Sequence, residues 1–217
     1  GGFIVGFDNE TSASARSIAH LVERGSICMA MVGLLHALPG TQLTRRLLRE
    51  GRLVEESNRL ADDGSAGVDQ TTMGLNFLTH RPRAEIVMDY LHVVERIYGV
   101  RSYFRRCLQL AFDLKPQRLH KPSGPEAMKM LVAFARLCLK LGIVPPVSLY
   151  FWRNILFVLA ARPACLEPVV NLMGMYIHFR KQAAHISKAV LPVAREPLTY
   201  SERTAGSRRR NSSLTTW

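Results

Sequence analysis

The chain opens with two short apolar runs that are separated by a helical pattern. Residues Gly1 to Asp8 ("GGFIVGFD") and Ile27 to Leu35 ("ICMAMVGLL") are continuously apolar rather than alternating, which is typical of strands buried on both faces. Between them apolar residues recur at helical spacing up to Gly25, which ends the predicted helix. Another short helix follows the Pro39-Gly40 turn. The order strand, helix, strand, helix predicts a βαβα unit with parallel strands.

From residue 55 onward the polarity and the periodicity of the sequence change. Residues 55–74 are polar and aperiodic, and we interpret them as a linker. After them only helical patterns occur, and the tail from residue 191 onward is polar and basic, so we predict that it is disordered. The fold class is therefore predicted as α/β followed by all-α, with an α/β part at 1–54 and a helical domain at 75–190. Five helices are expected, at Ala84–Tyr98, Val100–Phe112, Pro125–Leu141, Val147–Ala161 and Leu166–Lys188.

The amino-acid composition indicates a globular, basic protein but does not identify its binding partner. The 217 residues are 47% hydrophobic, which is enough for a core, and the net charge is +12. Such a charge suits nucleic acid or anionic lipid. However, the arginines of 45–52 and 101–106 follow helical patterns, and the chain lacks aromatic interleaving of the kind that single-stranded nucleic acid requires. We therefore favour solvated helix faces, and we predict no nucleic-acid partner.

The cysteines and the longest apolar stretch bear on metal sites and membranes. The four cysteines, Cys28, Cys107, Cys138 and Cys165, have no CxxC spacing, so we predict no metal site and favour buried thiols in a reducing cytoplasm. The stretch "LGIVPPVSLYFWRNILFVLAA" carries two prolines and an arginine, which argues against a transmembrane helix. A buried or interfacial helix, with peripheral membrane contact, stays open.

A glycine motif and two polar residues are the candidates for contact with a ligand or a substrate. Gly2, Ile4 and Gly6 form a GxIxG pattern on the first predicted strand, where glycines weaken a strand unless a ligand or another element approaches the backbone closely. Asp8 follows this strand and either contacts a ligand or caps the next helix. His36 follows the second strand at the same predicted edge, and we interpret it as the best polar candidate for substrate contact. His20 and Glu23 are predicted to face solvent.

These stretches resemble a known superfamily. "GGFIVGFDNET", then a helix, then "AMVGLLHALPGTQLTRRLLREGRL" is similar to the late strands of a radical S-adenosylmethionine (SAM) core. More narrowly, it resembles the branch with an N-terminal cobalamin-binding domain, which includes hopanoid methylases. The resemblance covers about residues 1–190. In the helical part it rests on "LNF" at 75–77, "ERIYGVRSYFRR" at 95–106, "YFWRNILFVLAARP" at 150–163 and "MYIHF" at 175–179, which look like the helical domain that follows these cores.

The resemblance implies a fold and a site. Residues 1–54 would be the terminal βαβα piece of a partial TIM-like barrel, followed by the C-terminal helical domain. Gly2, Ile4 and Gly6 match the GxIxG strand that lines the adenine pocket of SAM in that superfamily, and Asp8 would join them. Pro39, Gly40 and Thr41 match a "PGT" turn of the next strand.

The resemblance also implies cofactors and partners outside these residues. The superfamily holds a [4Fe–4S] cluster in a CxxxCxxC loop, and this sequence contains neither that loop nor a cobalamin domain. We therefore expect the C-terminal portion of a larger cytoplasmic enzyme, inactive without its N-terminal half. The parent would cleave SAM to a 5′-deoxyadenosyl radical. If it is a methylase, methylcobalamin would supply the methyl group to a small-molecule or lipid substrate.

An alternative function comes from another class of protein. The basic helical surface and the apolar helices also suit a non-catalytic interaction module, which would dock on a partner protein or a membrane surface. A CxxxCxxC motif in the upstream reading frame would favour the enzyme, and an unrelated upstream sequence would favour the module.

Overall fold

The computed structural model describes residues 1–54, 74–116, 123–192 and 194. Most of the predicted linker and most of the predicted basic tail lie outside the described residues. The predicted domain boundaries remain predictions.

The α/β start of the chain is a small parallel sheet with two helices. Strand β1 (Gly2–Val5) pairs with β2 (Met31–Leu34) in parallel, in a register that sets Gly2 opposite Met31 and Val5 opposite Leu34. Helix α1 (Ser12–Arg24) connects the strands, and α2 (Gln42–Arg49) follows β2. The predicted parallel βαβα order is confirmed. Among the described residues the sheet has these two strands, so a TIM-like barrel stays a proposal.

Both strands are shorter than their apolar runs. Gly6 has φ +117°, a left-handed conformation that takes the backbone out of β1 directly after Val5. Ser26 has φ 50° and lies before β2. The apolar residues beyond the strands are used in loops, where Leu35 is buried but Phe7 is 43% exposed.

The helices of the later part lie close to their predicted positions. They are α3 (Arg83–Tyr98), α4 (Val100–Asp113), α5 (Gly124–Leu141), α6 (Val147–Ala161) and α7 (Leu166–Val190), with a 3₁₀ turn at Pro163–Cys165 before α7. Capping explains the bounds of α5. Ser123 and Glu126 form a capping box at its start, Pro125 lies in its first turn, and Gly142 follows its last residue.

The described residues group into two compact units that interleave along the sequence. Of the described residues, the first unit contains 1–18, 31–54, 74–94, 184–192 and 194, and the second contains 19–30, 95–116 and 123–183. In the first unit Val5, Leu34, Leu47, Phe77 and Tyr90 are almost completely buried. The second has an aromatic core in which Tyr176 lies 5.3 Å from Tyr103 and 5.2 Å from Phe104, measured between ring centroids.

Tyr90 closes the far edge of β2 within the first unit. The amides of Met31 and Leu35 donate to the carbonyls of Gly1 and Val5 in the β1 segment. Because backbone groups alternate in direction along a strand, the Val32 carbonyl points away from β1. The Tyr90 hydroxyl donates to that carbonyl at 3.1 Å. A side chain of α3 therefore satisfies a backbone group that another strand would otherwise pair.

Candidate functional site

The predicted site lies at the outer edge and the carboxyl end of the small sheet. Since Gly1 and Val5 bond to β2 through their carbonyls, the backbone groups of Gly2 and Ile4 point to the opposite side of β1. No further strand lies on that side among the residues that the structure describes. Ile4 is 42% exposed, and a Cβ added to Gly2 would meet nothing within 4 Å. This edge leaves room for a ligand against the backbone.

The backbone conformation and the packing of position 6 explain why it is a glycine. Its φ of +117° is a conformation that side chains disfavour, and an added Cβ would lie 2.9 Å from Leu75 Cδ2. Its amide donates to Glu10 Oε2 at 2.8 Å. Packing against the chain at Leu75, rather than ligand contact, accounts for the glycine here. Of the three glycine-motif residues, Gly2 and Ile4 are therefore the ones open to a ligand.

Asp8 lies in an ion cluster at the carboxyl end of β1. Arg52 donates to both of its oxygens, from Nη2 to Oδ1 at 2.5 Å and from Nη1 to Oδ2 at 2.9 Å. Arg46 Nη2 reaches Oδ2 at 2.8 Å. The hydrogen bond from Arg52 and the nearby positive charges hold the pKa of Asp8 below its usual value. The geometry thus gives Asp8 a tertiary ion pair, and its contact with a cofactor remains a prediction.

Arg52 corrects one sequence expectation. The arginines of 45–52 were expected to lie on a solvated face, but the Arg52 side chain is only 2% exposed. Its remaining donors are satisfied by Glu50 at 2.9 Å and by the Leu78 carbonyl at 2.8 Å, and its guanidinium lies 5.7 Å from the Phe77 ring centroid. Such a buried arginine requires several acceptors that come together only in the folded chain. Residue type and helical spacing alone do not show this.

His36 is buried two residues after β2, at the same end of the sheet. The next residue, Ala37, is held by Asn76, whose amide group accepts from the Ala37 amide at 2.8 Å and donates to its carbonyl at 3.1 Å. Leu75 donates to the Leu35 carbonyl at 2.7 Å. The 75–76 segment therefore fixes the loop that carries His36. Sequence reasoning noted Asn76 only as part of the "LNF" motif of the resemblance and gave it no role in holding this loop.

A groove of about 590 Å³ adjoins this edge. Its lining combines an exposed aromatic ring with the arginine-rich face of α2, and consists of Phe7, Gln42, Leu43, Arg45, Arg46 and Arg49. Arg45 and Arg49 are exposed, as expected for a solvated helix face. The groove contains none of the predicted site residues, although Phe7 lies between Gly6 and Asp8.

The second unit buries charges that sequence reasoning placed in solvent. His20 is exposed as predicted, but the prediction for Glu23 is wrong, because its side chain is only 9% exposed. Glu23 pairs with Arg96 at 3.1 Å and Arg105 at 3.2 Å. Burial raises the pKa of Glu23, but the Arg96 hydrogen bond and the arginine charges outweigh it and lower the pKa overall.

Arg106 is also buried rather than solvated. It is 0% exposed and donates to the carbonyls of Ile27 at 3.0 Å and Ile97 at 2.5 Å. Burial lowers its pKa. Cys28 and Cys107 are buried nearby in the same unit, and a hydrogen bond from Cys107 lowers the pKa of Cys28 while the pKa of Cys107 is raised. These groups belong to the core of the second unit, whereas the predicted site residues belong to the first.

The described residues include neither a metal-binding cluster nor a membrane-spanning helix. Within the described ranges no group of three or more His, Cys, Asp or Glu side chains is arranged to hold a metal ion. None of the helices that the structure describes combines the length and the apolar character needed to cross a bilayer.

Comparisons with known proteins point to methylases. The chain is 29% identical over 178 residues to a Synechocystis protein named "Uncharacterized methyltransferase sll1242", covering 82% of this chain and 32% of that protein. It is 26% identical over 157 residues to the hopanoid C-2 methylase of Rhodopseudomonas palustris, covering 70% of this chain and 27% of that enzyme. The chain thus spans about a third of the length of these curated relatives. No solved structure matches it.

A family match covers most of the chain. Residues 41–190 match the family described as "Domain of unknown function (DUF4070)". This domain follows the radical SAM core in cobalamin-dependent methylases. The match begins at Thr41, which caps α2, and ends at the last residue of α7. The chain therefore belongs to the DUF4070 family.

Proposed function

We propose that this chain is the C-terminal portion of a cobalamin-dependent radical SAM enzyme that methylates an unactivated carbon of a lipid or another small molecule. The carrying observation is the family match over residues 41–190, together with relatives that are named methyltransferase and hopanoid C-2 methylase. The resemblance of residues 1–54 to the last strands of the core supports the same assignment.

The residues at the sheet edge fit one part of this role. Gly2 and Ile4 direct backbone groups away from β2, and neither is covered. In this proposal they hold the adenine of SAM through backbone hydrogen bonds and apolar contact, while Gly6 and Asp8 fix the turn that follows. SAM, when bound, supplies the radical that removes a hydrogen atom from the substrate. The ligands of the [4Fe–4S] cluster and of cobalamin would lie outside this chain.

His36 remains the proposed substrate-contacting residue. It lies at the carboxyl end of β2, where barrel enzymes place their catalytic groups, on a loop that Asn76 holds in place. Because His36 is 9% exposed, contact with substrate would require a rearrangement of the groups that cover it.

A fusion protein tests the proposal directly. The N-terminal part of the Synechocystis relative, joined to this chain and reconstituted anaerobically, should form 5′-deoxyadenosine from SAM and a methylated product. Gly2→Val should lower SAM cleavage by roughly tenfold or more, since a side chain would fill the proposed adenine position. Gly124→Val is the matched control, because a Cβ there also meets nothing within 4 Å.

Two results would contradict the proposal. One is a fusion that cleaves no SAM although the intact relative does so in the same preparation. The other is a stoichiometric four-iron cluster on this chain alone, since its cysteines lack cluster spacing. An upstream reading frame without CxxxCxxC would instead favour the interaction module, for which the exposed apolar residues of α5 and α6 are the specific observation.

A further inference from the structure

Helix α5 is attached to the second unit by one narrow stripe. Of its eighteen residues only Leu141 is buried. Leu137 packs against α7, where its Cδ2 lies 3.1 Å from the position of a Cβ built on Gly174. Phe134, Leu137 and Cys138 are partly covered and lie on the same helical face as Leu141. This stripe accounts for the packing of α5 and leaves its other faces in solvent.

A second apolar stripe runs along the outward face of α5. Met128, Leu131, Val132 and Leu139 recur at positions i, i+3, i+4 and i+11, and they are 43 to 66% exposed. Packing within the unit does not require these side chains, because the inward stripe is already apolar. Leu and Met in such positions are costly in water, so the outward stripe indicates a surface that is covered in use.

The turn after α5 and helix α6 also expose apolar side chains. Leu149, Trp152, Leu156 and Leu159 follow helical spacing on α6, and they are 41 to 70% exposed. The indole nitrogen of Trp152 donates to the Gly142 carbonyl at 3.0 Å and so fixes the turn against α6. In the turn itself, Ile143 and Val144 are 64% and 51% exposed. We call the outward residues of α5, this turn and α6 the hairpin surface.

Between Glu126 in the first turn of α5 and Glu167 in the first turn of α7, the charged residues have one sign. Residues 127–166 contain no Asp or Glu, and their five charged residues are Lys129, Arg136, Lys140, Arg153 and Arg162. Three of them lie on α5 at spacings of seven and four, so they share one flank of the outward apolar stripe. Long basic side chains beside an apolar stripe can keep their charges among headgroups while their stems cover apolar surface.

We propose that the hairpin surface docks on an anionic membrane surface. Helix α5 has an apolar stripe with a basic flank, which are features of an interfacial helix that lies in the headgroup plane. Helix α6, which follows, exposes Trp152, a residue type enriched at membrane interfaces. A second copy of the chain fits less well, because a symmetric contact would bring five cations against five cations with no acid between them. A protein partner would favour an interface core without lysine.

Vesicle flotation of the full chain tests this docking. The chain should float with vesicles of phosphatidylcholine and phosphatidylglycerol at 3:1 and remain behind with phosphatidylcholine alone. The variant K129Q/R136Q/K140Q should bind the anionic vesicles on the order of 100-fold more weakly, since each basic residue near the surface contributes about fivefold. L131E/L139E should abolish flotation. Both variants change exposed positions, and circular dichroism should show an unchanged helix content.

Two control variants test whether binding depends on the hairpin surface itself or only on the net charge and the exposed apolar residues of the whole chain. R24Q/R45Q/R49Q removes the same charge from exposed positions on α1 and α2 and should weaken binding by less than about fivefold. L48E/M88E changes two residues that are 66% and 57% exposed, outside the hairpin surface, and should leave flotation unchanged. Equal losses in the control and test variants would overturn the proposal.

Trp152 supplies a direct readout of insertion. Trp217→Phe leaves Trp152 as the one tryptophan of the chain. Its emission should shift to the blue on anionic vesicles and should be quenched by lipids brominated near the glycerol end of the acyl chain. Unchanged emission with bound protein would overturn the proposal. So would concentration-dependent dimerisation in analytical ultracentrifugation that L131E/L139E abolishes, which would assign the surface to a second copy.

Discussion

Arg52 and Asp8 lie forty-four residues apart in the sequence and form a two-point ion pair in the first unit. The guanidinium is almost completely buried, whereas the carboxylate is 23% exposed and also accepts from Arg46. The pair therefore joins the end of β1 to the segment after α2. It also gives the buried Arg52 guanidinium a negatively charged partner.

Removing either partner of this pair should destabilise the chain far more than removing Arg46. Arg52→Met should lower the free energy of unfolding by about 3 kcal/mol, because the change breaks a buried pair and leaves the Leu78 carbonyl without its donor. Arg46→Gln should cost less than about 1 kcal/mol, since the Arg46 side chain is 49% exposed. Urea denaturation of both variants measures the difference, and equal losses would contradict the buried-pair assignment.

The same carboxylate makes stability depend on pH in the acid range. The pKa values of Asp8 and Glu23 are lowered from 3.8 and 4.5 by their arginine partners in the folded chain. Each group therefore stabilises the fold fully above its unfolded pKa, and this contribution is lost as the pH falls through the lower folded pKa. The free energy of unfolding should be flat above about pH 5.5 and should fall progressively below about pH 4.5. In Asp8→Asn the fall should be shallower, whereas the exposed control Glu167→Gln should follow the parent curve.

Substitutions of the motif glycines should separate packing from ligand contact. Gly6→Ala should destabilise the chain by about 2 kcal/mol, because φ is +117° and the new Cβ would lie 2.9 Å from Leu75 Cδ2. Gly2→Ala should change the free energy of unfolding by less than about 0.5 kcal/mol, because its Cβ would enter open space. Thermal and urea unfolding give both values. A destabilising Gly2→Ala would mean that the open edge of β1 is covered by the chain itself.

Sequence patterns gave the helices and the parallel order because these depend on local periodicity and caps. On α3 the helically spaced apolar residues are almost completely buried, namely Ile86, Tyr90, Val93, Val94 and Ile97. The capping residues around α5 likewise set its bounds within one residue at the start. Such features are fixed by neighbours within a few positions along the chain.

The candidate site was predictable only in part, because its contacts join distant segments. Gly2 and Ile4 do lie at an open edge, but the reason for Gly6 comes from Leu75, and the partners of Asp8 come from α2 and the segment after it. Charged residues were the main source of error. Arg52, Arg106 and Glu23 have helical spacing that suits a solvated face, yet each is buried with partners that no local pattern shows.

Loss of the Tyr90 hydroxyl should weaken the far edge of β2. Tyr90→Phe should lower the free energy of unfolding by about 1 to 2 kcal/mol, because the buried Val32 carbonyl loses this donor and the site admits no water in its place. Tyr150→Phe is the control, since Tyr150 is only half-buried and lies over Arg153. A loss below about 0.5 kcal/mol in Tyr90→Phe would show that the hydroxyl does not close the strand edge.

Hydrogen exchange should rank the elements by their burial. The sequence patterns predict that the helical part is protected better than residues 1–54, and the structure divides that helical part further. Amides of α3 should exchange most slowly, because its inward residues are fully covered, and those of α5 should exchange fastest among the helices, because it packs through one stripe. The amides of β2 should lie between them, since Val32 and Leu34 are buried but β1 is open on its outer side. Exchange of α5 as slow as that of α3 would mean that its outward face is covered within the chain. Anionic vesicles should slow the exchange of α5, the turn after it and α6, and phosphatidylcholine vesicles should leave it unchanged, because the basic flank of α5 requires a negative surface.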